Sequence, residues 1–298
     1  MSGPSYRTVD VPVRDGLLRV GVWTASAPDA PVVVAVHGVT ANHLCWQQLA
    51  ALDRFTVVAP DLRGRGRSSR LEGPAGIARH ADDLLAVVGD RGLEGPMLVG
   101  HSMGGFVAAA FAARHPGRTA GTVLVDGGLP LPPPPSGMTA EEALNATIGP
   151  AAQRLTMRFP TPGDYLDFWR PHPALADAWT PEVEAYLRYD LEGDRSSVSL
   201  AAVRADSEGL LDPAVAAEWA DALPAGTPFL RAPYGMLGEE GGLYPAWLVE
   251  EHRARYPCVD VRDVTGANHY TIVMSARGAG AVADALEEAL GRSGRMEP

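Results

Sequence analysis

Five residues constrain this chain more than any others. Gly100-His101-Ser102-Met103-Gly104 joins an apolar run, PMLVG (96–100), to a small-residue helical run, MGGFVAAAFAARH (103–115). A strand that turns into a helix across so short a span must bend sharply. Side chains two residues before and after the serine would collide with neighbouring backbone, so glycine is required at both places. Such a bend holds the hydroxyl clear of the sheet, where a nucleophile is wanted. Gly105 then lets the following helix approach closely. In a chain with 33 glycines the five-residue pattern alone is weak; the strand before it and the helix after it make it specific.

The rest of the sequence repeats that strand–helix rhythm, which predicts an α/β fold with a mostly parallel sheet flanked by helices. Residues 6–13 and 17–23 read as an opening strand pair turned at Asp15-Gly16. PVVVAV (31–36), FTVVAP (55–60), PMLVG and GTVLVD (121–126) read as buried strands, with helices over 75–90 and 103–115. After Gly127-Gly128 the rhythm stops. LPLPPPPSG (129–137) is a proline-stiffened connection, and 138–222 reads as helices with no strands. Thr139 and Glu142 have capping-box spacing; Thr180-Pro181 and Asp212-Pro213 each place a cap before a first-turn proline. The core rhythm returns with TPFLRA (227–232), a helix near 243–256, CVDVRDV (258–264) and a helix near 276–291. The expected organisation is therefore a core of residues 1–128 and 225–298, with a helical cap, 129–224, inserted into it.

Within this frame His269 is the expected base. It sits in TGANHYT, between the last strand and the last helix, whereas the other histidines lie beside the nucleophile, within helices or in the cap. Two places preserve the order serine, acid, histidine. Asp126 ends the strand directly after the nucleophile's helix; Glu239 and Glu240 follow the next core strand in a glycine-rich loop. Asp126 is favoured, because a strand end orients an imidazole better than a glycine-rich loop does. The amides of Val39 and Met103 are the expected oxyanion donors. His37 reads first as a turn residue and second as a substrate contact. Trp169 and Tyr189 are the cap's candidate substrate contacts, drawn from a cluster with Tyr165, Phe168, Trp179 and Tyr186 that also suits helix packing. His172 is a further candidate.

Composition closes off other chemistries. All 25 basic residues are arginine. Without lysine there is no Walker phosphate loop, no pyridoxal Schiff base and no Ser-Lys dyad. Gly64-Arg65-Gly66 is the nearest approach to a dinucleotide loop, with Ser69 where a third glycine belongs. No HExxH, CxxC or histidine cluster suggests a metal, so neither metal nor cofactor is expected. A net charge of −11 argues against nucleic acid as a partner. The arginines at 63, 65, 67 and 70 read as a solvated or structural turn. No apolar run is long enough to span a membrane, no leader is apparent, and two cysteines make no disulfide framework. A cytoplasmic protein acting on a small apolar molecule is expected.

His37-Gly38-Val39-Thr40, DLRGRGRS (61–68), GHSMGG (100–105) and GANH (266–269) together resemble the α/β-hydrolase superfamily over the whole chain apart from the cap. The resemblance implies a serine hydrolase acting on an ester or lactone through an acyl-enzyme, with DLRGRGRS framing the site. An acid after the sixth strand and a long helical cap are also similar to the bacterial lactonases that open zearalenone, a resorcylic macrolactone. That likeness reaches Ser102, Asp126 and His269 and no cap residue. Serine at 102 excludes a carboxylate-nucleophile dehalogenase. Perhydrolases, carbon–carbon bond hydrolases and non-catalytic ligand receptors share the scaffold and stay open.

Overall fold

The computed structural model describes residues 3–71, 73–132, 136–138, 142 and 150–293. Among them is an eight-stranded sheet in the order β1-β2-β4-β3-β5-β6-β9-β10. β1 (Ser5–Val13) and β2 (Gly16–Thr24) form an antiparallel hairpin at one edge, turned through Asp15 and Gly16, both at positive φ. β3 (Val32–Val36), β4 (Thr56–Pro60), β5 (Met97–His101), β6 (Gly121–Val125), β9 (Thr227–Arg231) and β10 (Val259–Asp263) run parallel. Their β-branched residues are almost wholly buried, as strands covered on both faces require.

Helices flank this sheet. Ile77–Asp90 and Met103–Arg114 pack on each other, and the latter lies along β3, β5 and β6; Ala276–Ser293 packs across β5, β6 and β9. The chain runs from β3 outward to β4, then crosses back to β5. The strand order therefore reverses between β3 and β5, and the loops leaving their carboxyl ends diverge. In open α/β sheets this is where ligands bind.

Between β6 and β9 the described residues form short helices, among them Pro162–Trp169, Pro181–Asp190, Leu200–Leu210 and Pro213–Asp221. Thr180 and Asp212 cap theirs as expected, each followed by proline at the first turn. Thr161 and Asp164 form a capping box; Thr139 lies outside the described residues. The expectation of helices alone needs one correction. A small antiparallel hairpin, β7 (Leu191–Glu192) with β8 (Arg195–Ser196), turns through Gly193 at φ 64°. Its strands are two residues each, too short to show an alternating pattern in sequence.

Candidate active site

Among the described residues, four that are not glycine have positive φ: Asp15, Asp53, Ser102 and Asp126. The first two sit in turns, where aspartate tolerates this conformation. The other two follow the adjacent strands β5 and β6, Ser102 at the switch point itself. Ser102 has φ 55° and ψ −125°, and its N–H donates to Val125 O at 2.9 Å. Strain of this kind, about 1–3 kcal/mol, persists only where surroundings enforce it. Here bare backbone does so. A Cβ on Gly100 would lie 2.0 Å from Gly104 O, one on Gly104 would lie 2.1 Å from Val36 O, and one on Gly127 would lie 2.0 Å from Ser102 O. A Cβ on Gly105 would lie 2.2 Å from Gly127 O.

Asp126, wholly buried at φ 47°, is fixed at three points. Its N–H donates to Leu230 O at 2.7 Å, its Oδ1 accepts from Ala232 N at 3.1 Å, and its Oδ2 faces His269 Nδ1 at 2.7 Å. His269 is held from a second side, where its carbonyl accepts from His101 Nε2 at 2.8 Å. The other two carboxylates considered for this role lie elsewhere. Glu239 and Glu240 are exposed, and Glu239 accepts from Leu237 N at 2.8 Å within its own loop.

Ser102, His101 and His269 border one cavity. Its walls include Ala41, Cys45, Tyr186, Met236, Tyr270 and Met274, and its empty space, open mouth included, is about 420 Å³. The loop after β3 forms one side: a side chain on Gly38 would lie 3.4 Å from Ser102 Oγ, and Val39 also lines the wall. Met103 opens the helix, where a backbone amide has no intrahelical acceptor. Ser102 is thus flanked by the loop that carries Val39 and by the start of the helix at Met103. Among the described residues there is no cluster of three metal-ligating side chains, and no helix is long and apolar enough to cross a membrane.

Three residues expected against substrate are not among those that line the cavity. Trp169 is buried among Phe168, His172 and Tyr270, with the Arg154 guanidinium 5.2 Å from its ring centre. Tyr189 donates its hydroxyl to Asp61 Oδ2 at 2.7 Å and lies under Arg67. His172 is buried and accepts from Ala174 N at 3.3 Å. Tyr186 is the member of the aromatic cluster that reaches the cavity. Met236, Cys45 and Met274 gave no sequence signal, since a scattered apolar residue looks the same in a core and in a pocket.

His37 is built into the fold. Its Nδ1 pairs with Gly38 O at 2.8 Å, and its Nε2 accepts from Leu62 N at 2.9 Å, which requires the neutral ring. Burial lowers its pKa from 6.5 to about 3, despite the opposing influence of Asp61 and the Gly38 carbonyl. The unfolded chain therefore binds the proton more readily. Stability is complete above pH 6.5 and falls as pH drops toward 3. His101 and His172 are displaced in the same direction by burial. Urea unfolding should give a free energy at least about 2 kcal/mol lower at pH 5.0 than at pH 7.5. Equal values would mean that His37 is not held neutral.

Comparison with known proteins fits this geometry. The chain is 40% identical over 107 residues to a bifunctional esterase/perhydrolase from Acinetobacter calcoaceticus, covering 35% of this chain and 39% of that protein. It is 36% identical over 124 residues to the lipase LipV from Mycobacterium tuberculosis, covering 41% of this chain and 45% of that protein. Among the curated relatives, matches span from 30% to 57% of their own lengths. The thioesterase domain of a curacin biosynthetic pathway superposes with a TM-score of 0.71 at 21% identity, over 95% of this chain and 99% of that one, which shows a shared fold. The profile of the alpha/beta hydrolase family matches residues 33–285, most of the chain, and this protein belongs to that family.

Proposed function

We propose that this protein hydrolyses neutral, apolar carboxylic esters or lactones, with Ser102 as nucleophile, His269 as base and Asp126 as the acid that orients it. The observation that carries the reading is the 2.7 Å contact between Asp126 and His269, beside a strained serine that opens on the same apolar cavity. As Ser102 Oγ attacks the carbonyl carbon, His269 Nε2 takes its proton. The oxyanion is held by the N–H groups of Val39 and Met103. Collapse expels the alkoxide, which takes the proton from His269 and leaves an acyl-serine. Water then gives a proton to His269 and attacks the acyl carbonyl; collapse releases the carboxylic acid and returns the proton to Ser102. Asp126 stays ionised throughout and holds Nδ1–H.

The cavity favours an uncharged substrate. None of its described walls is arginine, and residues 133–149 contain no basic side chain. Walls of Ala41, Cys45, Met236, Val273 and Met274 suit an apolar acyl or aryl group. In this reading the segment between β6 and β9 is a cap that closes over the nucleophile through Tyr186. The macrolactone zearalenone belongs in the substrate panel as the bulky neutral case. The esterase/perhydrolase relative favours a second reading, in which hydrogen peroxide replaces water as acyl acceptor and releases a peracid.

A fluorophosphonate probe should modify Ser102, located by mass spectrometry of peptides. A p-nitrophenyl butyrate should be cleaved at least about tenfold faster than the hemisuccinate, whose carboxylate finds no cation in the cavity. Modification elsewhere, or preference for the hemisuccinate, would overturn the corresponding half of the reading. Peracid formation exceeding ester hydrolysis would favour the second reading.

A further inference from the structure

We propose that Arg65 and Arg154 are positioning residues for the oxyanion loop, each tethered by an aspartate of the segment between β6 and β9. The inference rests on the reading above, in which the Val39 amide stabilises the oxyanion.

The loop after β3 has no regular structure to hold it, yet two consecutive carbonyls in it are gripped by buried guanidinium groups. Val39 O accepts from Arg65 Nε at 2.8 Å, and Thr40 O accepts from Arg154 Nη2 at 2.8 Å. The two arginines are 0% and 2% exposed and reach the loop from different parts of the chain. Arg65 lies in the turn after β4, and Arg154 lies in the segment after β6. The Arg65 Nη2 also comes within 4.0 Å of Met103 Sδ, so this one side chain touches both residues that supply oxyanion donors.

Each guanidinium has a buried aspartate to answer its charge. Arg65 Nη1 pairs with Asp206 Oδ2 at 2.5 Å, and Arg154 Nε pairs with Asp190 Oδ2 at 3.2 Å. The aspartates are themselves held. Asp206 Oδ1 meets Gly76 N at 2.7 Å and His80 Nε2 at 3.0 Å. Asp190 accepts from the hydroxyls of Tyr165, Ser196 and Ser197. Burial disfavours the Asp206 carboxylate, but Arg65 and His80 outweigh it and hold its pKa at about 2. The Asp206–Arg65 tether therefore persists across the working pH range.

Pinning the carbonyls of Val39 and Thr40 fixes two successive peptide planes. The Val39 N–H belongs to the plane just before these two, whose Gly38 carbonyl is held by His37 Nδ1 at 2.8 Å and by Ala41 N–H at 3.2 Å, so with the next two planes pinned Val39 has little freedom to turn. Buried ion pairs contribute little net stability compared with apolar packing. Stability alone therefore gives no reason for two of them to meet neighbouring carbonyls. Orientation does, because an oxyanion donor acts only at the right distance and angle. The segment after β6 would then contribute to the chemical step as well as to the choice of substrate.

The test compares Arg65→Met, Arg154→Met, Asp206→Asn and Asp190→Asn with the unmodified protein. Steady-state kinetics on a neutral aryl ester, the inactivation rate with a fluorophosphonate and thermal unfolding are measured for each. Both arginine variants should lose about 10- to 100-fold in kcat and in inactivation rate, with KM changed less than about threefold. The asparagine variants keep the shapes, loosen the tethers and should lose about 3- to 10-fold in the same two quantities. Folded variants with normal kcat would overturn the inference, as would losses that fall mainly on KM. If no variant folds, the arginines serve the fold alone and the inference fails. An unmodified protein that cleaves esters alongside arginine variants of normal kcat confines the failure to this inference; an unmodified protein inert to both probes removes the reading beneath it.

Discussion

Ser102→Ala is expected to lower turnover of a neutral ester by about 10⁵–10⁶-fold and to abolish the fluorophosphonate adduct. On the proposed mechanism the effect is large because the alanine variant keeps the cavity, the proposed oxyanion donors and the Asp126–His269 pair, and removes only the atom that would bond to the acyl carbon. Binding should survive, so KM should change little. Combination sharpens the expectation. His269→Ala should fall to a similar level, since a serine without its base is a poor nucleophile. The double variant should be about as slow as either single one, because the two residues act as a unit. Additive losses would mean that His269 works on something other than Ser102. A Ser102→Ala protein with appreciable activity would move the chemistry off the elbow altogether. The variant should also relieve little strain, because φ 55° at this position is enforced by Gly100, Gly104 and Gly127.

What sequence reveals here follows from how local each feature is. The elbow is legible because its requirement is steric and short-range: four glycines surround one serine, and any Cβ would strike backbone. The strands are legible because burial on both faces selects continuous β-branched runs. The arginines of DLRGRGRS are only half legible. A basic run looks like a solvated turn until its partners are known, and those partners are distant. Arg63 pairs with Asp83 at 3.0 Å, and Arg65 pairs with Asp206, 141 positions later in the chain. Both side chains are buried. Arg70, in contrast, is exposed, as a turn residue should be. The pocket walls are not legible at all. Ala41, Tyr186, Met236 and Met274 come from separate parts of the fold, and nothing local distinguishes a pocket methionine from a core one. For the same reason Trp169 and Tyr189 resemble substrate contacts in sequence but lie in packing and in a hydrogen bond to Asp61.

The carboxylate is the sharpest remaining discrimination, and Asp126→Asn is expected to cut turnover by about 10⁴-fold. The amide preserves size and can still meet both Ala232 N–H and His269. However, it presents either an oxygen without charge or an N–H donor to Nδ1. The first loses the stabilisation of the imidazolium; the second forces the proton onto Nε2, where the ring can no longer accept from Ser102. Folding should be little affected, because the backbone bond from Asp126 N to Leu230 O is untouched. Glu239→Gln and Glu240→Gln should cost tenfold or less, roughly, as exposed positions on a turn affect only loop geometry. The double glutamine variant should be no worse. Near-normal turnover by Asp126→Asn beside a crippled glutamate variant would require the loop at 235–241 to fold inward and carry the acid to His269. That outcome would also remove the acid after the sixth strand from the proposed triad.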